Sequence, residues 1–137
     1  MQISLKQSCY QQMIQHSTEA FPEEACGILL APDGDSTITA CMRIDNVHEQ
    51  KTSAFRFDPE QWVNAHYWAS RRQLTIAGIY HSHPTAEAVP SSRDVAGLLD
   101  SQLLYAIVSL KQKDSLQIKL YRRNVQNQFI NYPLVLT

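Results

Sequence analysis

Apolar side chains recur along this chain in two rhythms, a helical one of three to four residues and a strand-like one of two, and the switches between them mark out the elements. Ser4-Leu5-Lys6-Gln7 has the S-x-x-Q form of a capping box, and Tyr10, Met13, Ile14, Ser17 and Phe21 follow at helical spacing, predicting a first helix over 5–19 that Pro22 ends. The unbroken apolar run 25–31 is what a buried strand shows. Pro32-Asp33-Gly34-Asp35 turns it into a second strand over 37–47, so the two form a hairpin. A polar loop over 48–52 leads to the alternation Ala54-Phe55-Arg56-Phe57, read as a short strand. Asp58-Pro59-Glu60-Gln61 then combines an N-cap, a proline at the first helical position and a glutamine at the third. A second helix follows to about Arg72, with Trp62, Ala65, Tyr67, Trp68 and Ala69 as core and His66 as a packed or half-exposed neighbour.

In the second half, 74–81 is an apolar strand that Pro84 stops, and a third helix is expected from about Ser92 to Asp100. Residues 104–110 form a continuous apolar strand, 116–121 alternate strictly as a half-exposed strand does, and 129–136 read as a further edge strand, where Pro133 is tolerated. Strands interleaved with three helices place the chain in the α/β or α+β class, with a central sheet covered on both sides. At 137 residues and 44% hydrophobic content, a single domain over 1–137 with its own core is expected.

Charge and cysteines narrow the setting. Twelve Lys and Arg against 13 Asp and Glu leave a formal charge of -1, and the longest basic runs are the pairs Arg71-Arg72 and Arg122-Arg123, so no nucleic-acid partner is expected. The start MQISLKQSCYQQ has neither the basic region nor the apolar run of a secretory signal, and no apolar stretch approaches membrane-spanning length. The expected location is cytoplasmic, away from membranes. Cys9, Cys26 and Cys41 are widely spaced, suit neither a disulfide framework nor a paired-cysteine metal ribbon, and are read as reduced and packed.

Candidate chemistry gathers where the strand over 74–81 ends. His81 and His83 are two residues apart in extended backbone, so their imidazoles emerge on one face and can converge on one ion, and Pro84 places them beside a loop. Beyond it, Ser91-Ser92-Arg93-Asp94 before Val95, Ala96, Leu98 and Leu99 reads as a helix start, with Ser91 as cap and Asp94 in the first turn, free to face the histidines. His81, His83 and Asp94 with a fourth position open make the catalytic form of a zinc site, and the ligand types prefer Zn2+ to iron or manganese. Such a site makes hydroxide available near neutral pH, and a nearby carboxylate that is not a ligand is the usual proton acceptor. Glu23 and Glu24, at the mouth of the run 25–31, are both candidates, and a solvated surface charge is the plainer reading of either. An amidohydrolase barrel needs about 250 residues. A zinc deaminase would need H-x-E and P-C-x-x-C, neither of which occurs here. A non-haem iron oxygenase shares the ligand set, although such sites commonly put the carboxylate where this sequence has His83.

Glu24-Ala25-Cys26-Gly27, then Gly78-Ile79-Tyr80-His81-Ser82-His83-Pro84, then Ser91-Ser92-Arg93-Asp94 together resemble the JAMM (MPN+) metalloprotease family, whose motif is a distant glutamate followed by H-x-H-x7-S-x-x-D. Residues 84–90 fill the interval without a gap, and the resemblance runs from the first helix through the strand after Asp94. It implies a cytidine-deaminase-like α/β fold and one Zn2+ held by His81, His83, Asp94 and a water. By the same resemblance Glu24 is the general base and Ser91 the serine that hydrogen-bonds the developing oxyanion, while Glu23 matches nothing in the motif. Since every motif residue is kept, an active zinc metallopeptidase is favoured over the degenerate scaffold members, the alternative being a non-catalytic module that binds a protein tail. The chain leaves little room for the insertions by which eukaryotic deubiquitinating members grip ubiquitin and is similar to compact stand-alone bacterial members. The implied substrate is a peptide or isopeptide-type amide bond at the C-terminal tail of a ubiquitin-like or sulfur-carrier protein. An extended tail binds as an added strand, with 52–57 and 85–90 as candidate groove walls through Ala54 and Ala88.

Overall fold

The structure is a computed structural model that describes residues 2–91 and 102–137. Among these run, in chain order, β1 (Ile3–Leu5), α1 (Gln7–Ala20), β2 (Cys26–Pro32), β3 (Ala40–Ile44), α2 (Pro59–Ser70), β4 (Leu74–His83), β5 (Leu104–Ser109), β6 (Gln117–Arg123), β7 (Phe129–Tyr132) and β8 (Leu134–Leu136). One sheet takes the order β3-β2-β4-β5-β6-β7, and β1 pairs with β8 in a second, two-stranded sheet. Within the large sheet every neighbouring pair is antiparallel except β4 with β5. A parallel pair needs a crossover, so the chain must leave the C-terminal end of β4 and return along the whole strand. That requirement opens the end of β4 onto a loop.

Strand alternation divides the core between the two faces. On one face Leu29, Tyr80, Ala106 and Val108 pack against Cys9 and Met13 of α1. On the other, Ile28, Leu30 and Ile44 pack against Ala65 and Ala69 of α2. The result is a mixed sheet flanked by helices, as the element pattern predicts. Helix α2 starts as its sequence dictates, with the Asp58 carboxylate accepting from the Glu60 and Gln61 amides and Pro59 in the first turn. No described helix is long and apolar enough to cross a membrane.

Four expectations need correction. Ser4 caps nothing: the N-cap of α1 is Lys6, without a side-chain bond, and Ser4 lies in β1, whose Ile3 and Leu5 are buried in the α1 core. The run 129–136 splits at Pro133, because proline lacks the amide needed to continue a ladder; β7 stays at the sheet edge while β8 joins β1 in parallel. Residues 54–57 form no strand, only an isolated bridge between Phe57 and Asn46. On α2, Tyr67 and Trp68 face outward, 64% and 37% exposed, because the helix meets the sheet along a narrow stripe through Ala65 and Ala69. Trp68 instead lies under the Arg72 guanidinium, 4.0 Å from its ring. The third helix expected from Ser92 to Asp100 lies outside the described residues.

Candidate active site

The site is built at the ends of β2 and β4. Register places Cys26 opposite His81, and the pairing continues one step, with the Ser82 amide donating to the Ala25 carbonyl at 3.0 Å and the Ala25 amide donating to Ser82 Oγ at 2.8 Å. His81 and His83 share one face as their spacing predicts. Both are buried, 3% and 4% exposed, and their Nε2 atoms stand 3.1 Å apart. His83 Nδ1 lies 2.7 Å from the Glu87 carbonyl. A carbonyl only accepts, so His83 carries its proton on Nδ1 and presents the Nε2 lone pair toward His81.

Glu24 and Glu23 part as adjacent side chains must. Glu23 is exposed, whereas Glu24 is only 5% exposed, an uncommon setting for a carboxylate. By alternation through Cys26, Glu24 belongs to the face that carries His81. Its backbone is fixed at both ends: the amide donates to the Lys51 carbonyl at 2.7 Å, and its carbonyl accepts from Asn46 Nδ2 at 3.0 Å. Cys26, directly across from His81, is not a competing nucleophile. Burial pushes its thiol up to about 12, and it points at the Ile44 carbonyl 3.4 Å away.

Three residues that the sequence did not single out hold the surroundings. The loop after Pro84 presents three successive carbonyls to side chains of three different strands. Ala86 accepts from Ser109 Oγ of β5, Glu87 from His83 of β4, and Ala88 from Tyr121 Oη of β6. Asn46 ties the other side, because its amide donates to the Glu24 and Ala54 carbonyls while its oxygen accepts from the His48 and Arg56 amides. Local patterning does not reveal what Asn46, Ser109 or Tyr121 hold: beside the short-range bonds from the His48 and Lys111 amides, the fold brings Glu24, Ala86 and Ala88 to them across 22 to 33 residues of chain.

Ala54 and Ala88 are not groove walls: they are 7% and 1% exposed, and Ala88 packs among Ile79, Tyr105, Ile107 and Tyr121. Ser91 is exposed where the described loop ends, and Asp94 lies outside the described residues. His66 is exposed and meets Trp62 edge-on, far along α2. A cavity of about 350 Å³ reaches Glu24 from the α1 side, lined also by His16, Glu23, Asn46 and Lys51. A second hollow of about 400 Å³, between α2 and the start of β4, includes neither histidine of the pair nor Glu24.

The imidazole pair suits a metal ion. Nitrogens at 2.0–2.1 Å from a tetrahedral zinc stand about 3.3 Å apart, close to the observed 3.1 Å, and the hydrogen bond at His83 Nδ1 is the outer-shell partner that a metal-binding histidine has. Among the described residues no group of three His, Cys, Asp or Glu is gathered.

The sheet order and helix placement are those of a known fold. The chain superposes on the solution structures of a protein from Desulfitobacterium hafniense (TM-score 0.87, 24% identity, 98% of this chain and 92% of the other) and one from Salinibacter ruber (0.76, 27%, 100% and 92%). It also superposes on the crystal structure of a JAB1/MPN domain protein from Archaeoglobus fulgidus (0.62, 15%, 98% and 98%). The fold is thus of the JAB1/MPN class. A family model described as prokaryotic homologs of the JAB domain matches residues 6–123, and the chain belongs to that family. Among curated proteins it is similar to the desampylase of Haloferax volcanii, 30% identical over 96 residues, 67% of this chain and 69% of the relative. It is similar also to the CysO-cysteine peptidase of Mycobacterium tuberculosis, 27% identical over 110 residues, 80% and 75%. A probable TtuB-protein conjugate cleaving protease of Thermus thermophilus is 31% identical over 80 residues, 58% and 52%.

Proposed function

We propose that this chain is a zinc-dependent metallopeptidase that hydrolyses a peptide or isopeptide-type amide bond at the C-terminal tail of a ubiquitin-like or sulfur-carrier protein. The observation that carries the reading is the buried pair of Nε2 atoms at 3.1 Å, on the sheet face to which alternation assigns the buried carboxylate of Glu24. Relatives named for CysO-cysteine and for TtuB-protein conjugates support the substrate class. The three free thiols suit a cytoplasmic setting, and residues 1–137 are taken to work as one domain.

In this reading His81, His83 and Asp94 hold one Zn2+, which supplies the Lewis acidity that makes a water nucleophilic near neutral pH. The Glu24 carboxylate accepts a proton from the attacking water and returns it to the leaving nitrogen, so its role needs a side chain that faces the histidines and is not itself a ligand. Ser91 Oγ donates a hydrogen bond to the carbonyl oxygen as negative charge develops there. His83 is kept in its binding tautomer by the Glu87 carbonyl.

Glu24→Gln tests the reading with Glu23→Gln as internal control. Each zinc-loaded protein is incubated with a sulfur-carrier protein bearing a C-terminal extension, and the products are weighed by mass spectrometry. Wild type and Glu23→Gln are expected to release the extension, while Glu24→Gln keeps its fold and zinc and loses at least about 10²-fold in turnover. Equal activity in Glu24→Gln and wild type at equal zinc occupancy would remove Glu24 from the reaction. Tail binding without release by the zinc-loaded wild type would leave a binding module in place of an enzyme.

A further inference from the structure

We propose that Phe55 is a positioning residue for His81, setting the plane of its imidazole and hence the direction in which Nε2 presents its lone pair. The inference rests on the reading of His81 as a zinc ligand and goes beyond it by naming what aims that ligand. The two rings are stacked, centroids 4.6 Å apart and planes 21° from parallel. An imidazole lone pair lies in the ring plane, so a neighbour that fixes the plane fixes the line along which the nitrogen can donate. His83 is held by a hydrogen bond from Nδ1 to the Glu87 carbonyl, and His81 lies flat against Phe55.

Phe55 is itself well braced, although it belongs to no strand. Its ring backs onto Phe57 at 5.6 Å, and Phe57 stacks on Trp62 of α2 at 5.2 Å, so a column of aromatic rings runs from the helix to His81. The backbone on either side of Phe55 is fastened to one side chain, Asn46, which donates to the Ala54 carbonyl at 3.0 Å and accepts from the Arg56 amide at 3.1 Å. The same Asn46 amide also donates to the Glu24 carbonyl. Its two donors and two acceptor positions are thus all used. The residue that holds Phe55 over His81 thereby also holds the strand mouth that carries Glu24, and the loop acts as one frame for both.

Plain core packing is the competing explanation, since Phe55 is half-buried against the cluster of Ile79, Ile107 and Tyr121. Leucine and tyrosine separate the two, because leucine keeps the apolar contact without a flat face whereas tyrosine keeps the face. Wild type, Phe55→Leu and Phe55→Tyr are compared in zinc affinity by chelator competition, in the visible absorption band of the cobalt-substituted protein, and in the melting temperature of the metal-free protein. The expected result is a zinc affinity weakened about 10–100-fold in Phe55→Leu, the usual effect of removing a partner that orients a ligand. Its cobalt band should be shifted, its metal-free melting temperature should stay near wild type, and Phe55→Tyr should bind zinc within about threefold of wild type by the same criterion. Zinc affinity and cobalt band unchanged in Phe55→Leu would overturn the inference and leave the metallopeptidase reading standing. Equal loss in both variants, tracking a lowered melting temperature, would reduce Phe55 to packing. A wild-type protein that takes up no zinc would remove the metallopeptidase reading, and the positioning role with it.

Discussion

His16 on α1 reaches the Tyr80 hydroxyl with Nδ1 at 2.7 Å, and burial, reinforced by the Arg43 guanidinium against weaker pulls from Glu19 and Asp45, lowers its pKa from 6.5 to about 4. The unfolded chain therefore binds a proton here that the fold excludes. Stability is fully present above the unfolded value and is lost as pH falls from about 6.5 toward about 4. At about 1.4 kcal/mol per unit the loss cannot exceed about 3.5 kcal/mol, and solvent screening at this half-buried ring makes it smaller. Urea unfolding at pH 7 and pH 4.5 should show a larger fall for wild type than for His16→Gln, and equal falls would place the acid sensitivity elsewhere. His16 also shows where sequence reading stops at this scale. The shared face of His81 and His83 was legible because two-residue alternation alone decides it, whereas alternation says only that Glu23 and Glu24 diverge, and the family resemblance is what singled out Glu24. The contacts of His16 with Tyr80, of Asn46 with the Glu24 carbonyl and of Tyr121 with the Ala88 carbonyl join distant segments, and no local rhythm announces them.

Among the elements, β2 and β4 carry the site, and Gly27 lets them approach. A Cβ at Gly27 would overlap the Tyr80 ring and the Met42 carbonyl, so the glycine of the E-x-x-G segment is needed for space. Gly27→Ala should destabilise the fold by about 1–3 kcal/mol through overpacking. Because Met42 contributes backbone, relief through the ring alone is partial: adding Tyr80→Leu should recover a measurable part of the loss in a double-mutant cycle. Strict additivity of the two changes would mean that the ring is not the obstacle. Helix α2 and strands β2, β4, β5 and β6 were readable because each has a strong period or a cap with the right chemistry. Ser4 and the stretch 54–57 misled for a shared reason. A capping sequence or a brief alternation names a local option, and pairing with Leu134–Leu136 or fastening by Asn46 is what the tertiary structure chose.

For the molecule as a whole, the link between β1 and β8 has effects on α1. Helix α1 has no side-chain cap, but its Gln7 amide donates to the Thr137 carbonyl and the Thr137 amide donates to the Leu5 carbonyl. Removing residues 134–137 should therefore fray the start of α1 as well as uncover Ile3 and Leu5, lowering unfolding free energy by at least about 2 kcal/mol. A truncated protein with wild-type stability in urea would show that β8 is dispensable. The placement of the two site components along the chain has a consequence for how the protein matures. His81 and His83 need only one extended strand to face the same way, whereas Glu24 is brought in when Ala25 and Ser82, 57 residues apart in sequence, have paired. Long-range pairing is the slower event. On the proposed reading, facing the same way is not yet a grip: Asp94 and the frame that holds both Phe55 and the strand mouth of Glu24 must be in place too, so a newly made chain completes its ion site and its proton acceptor together.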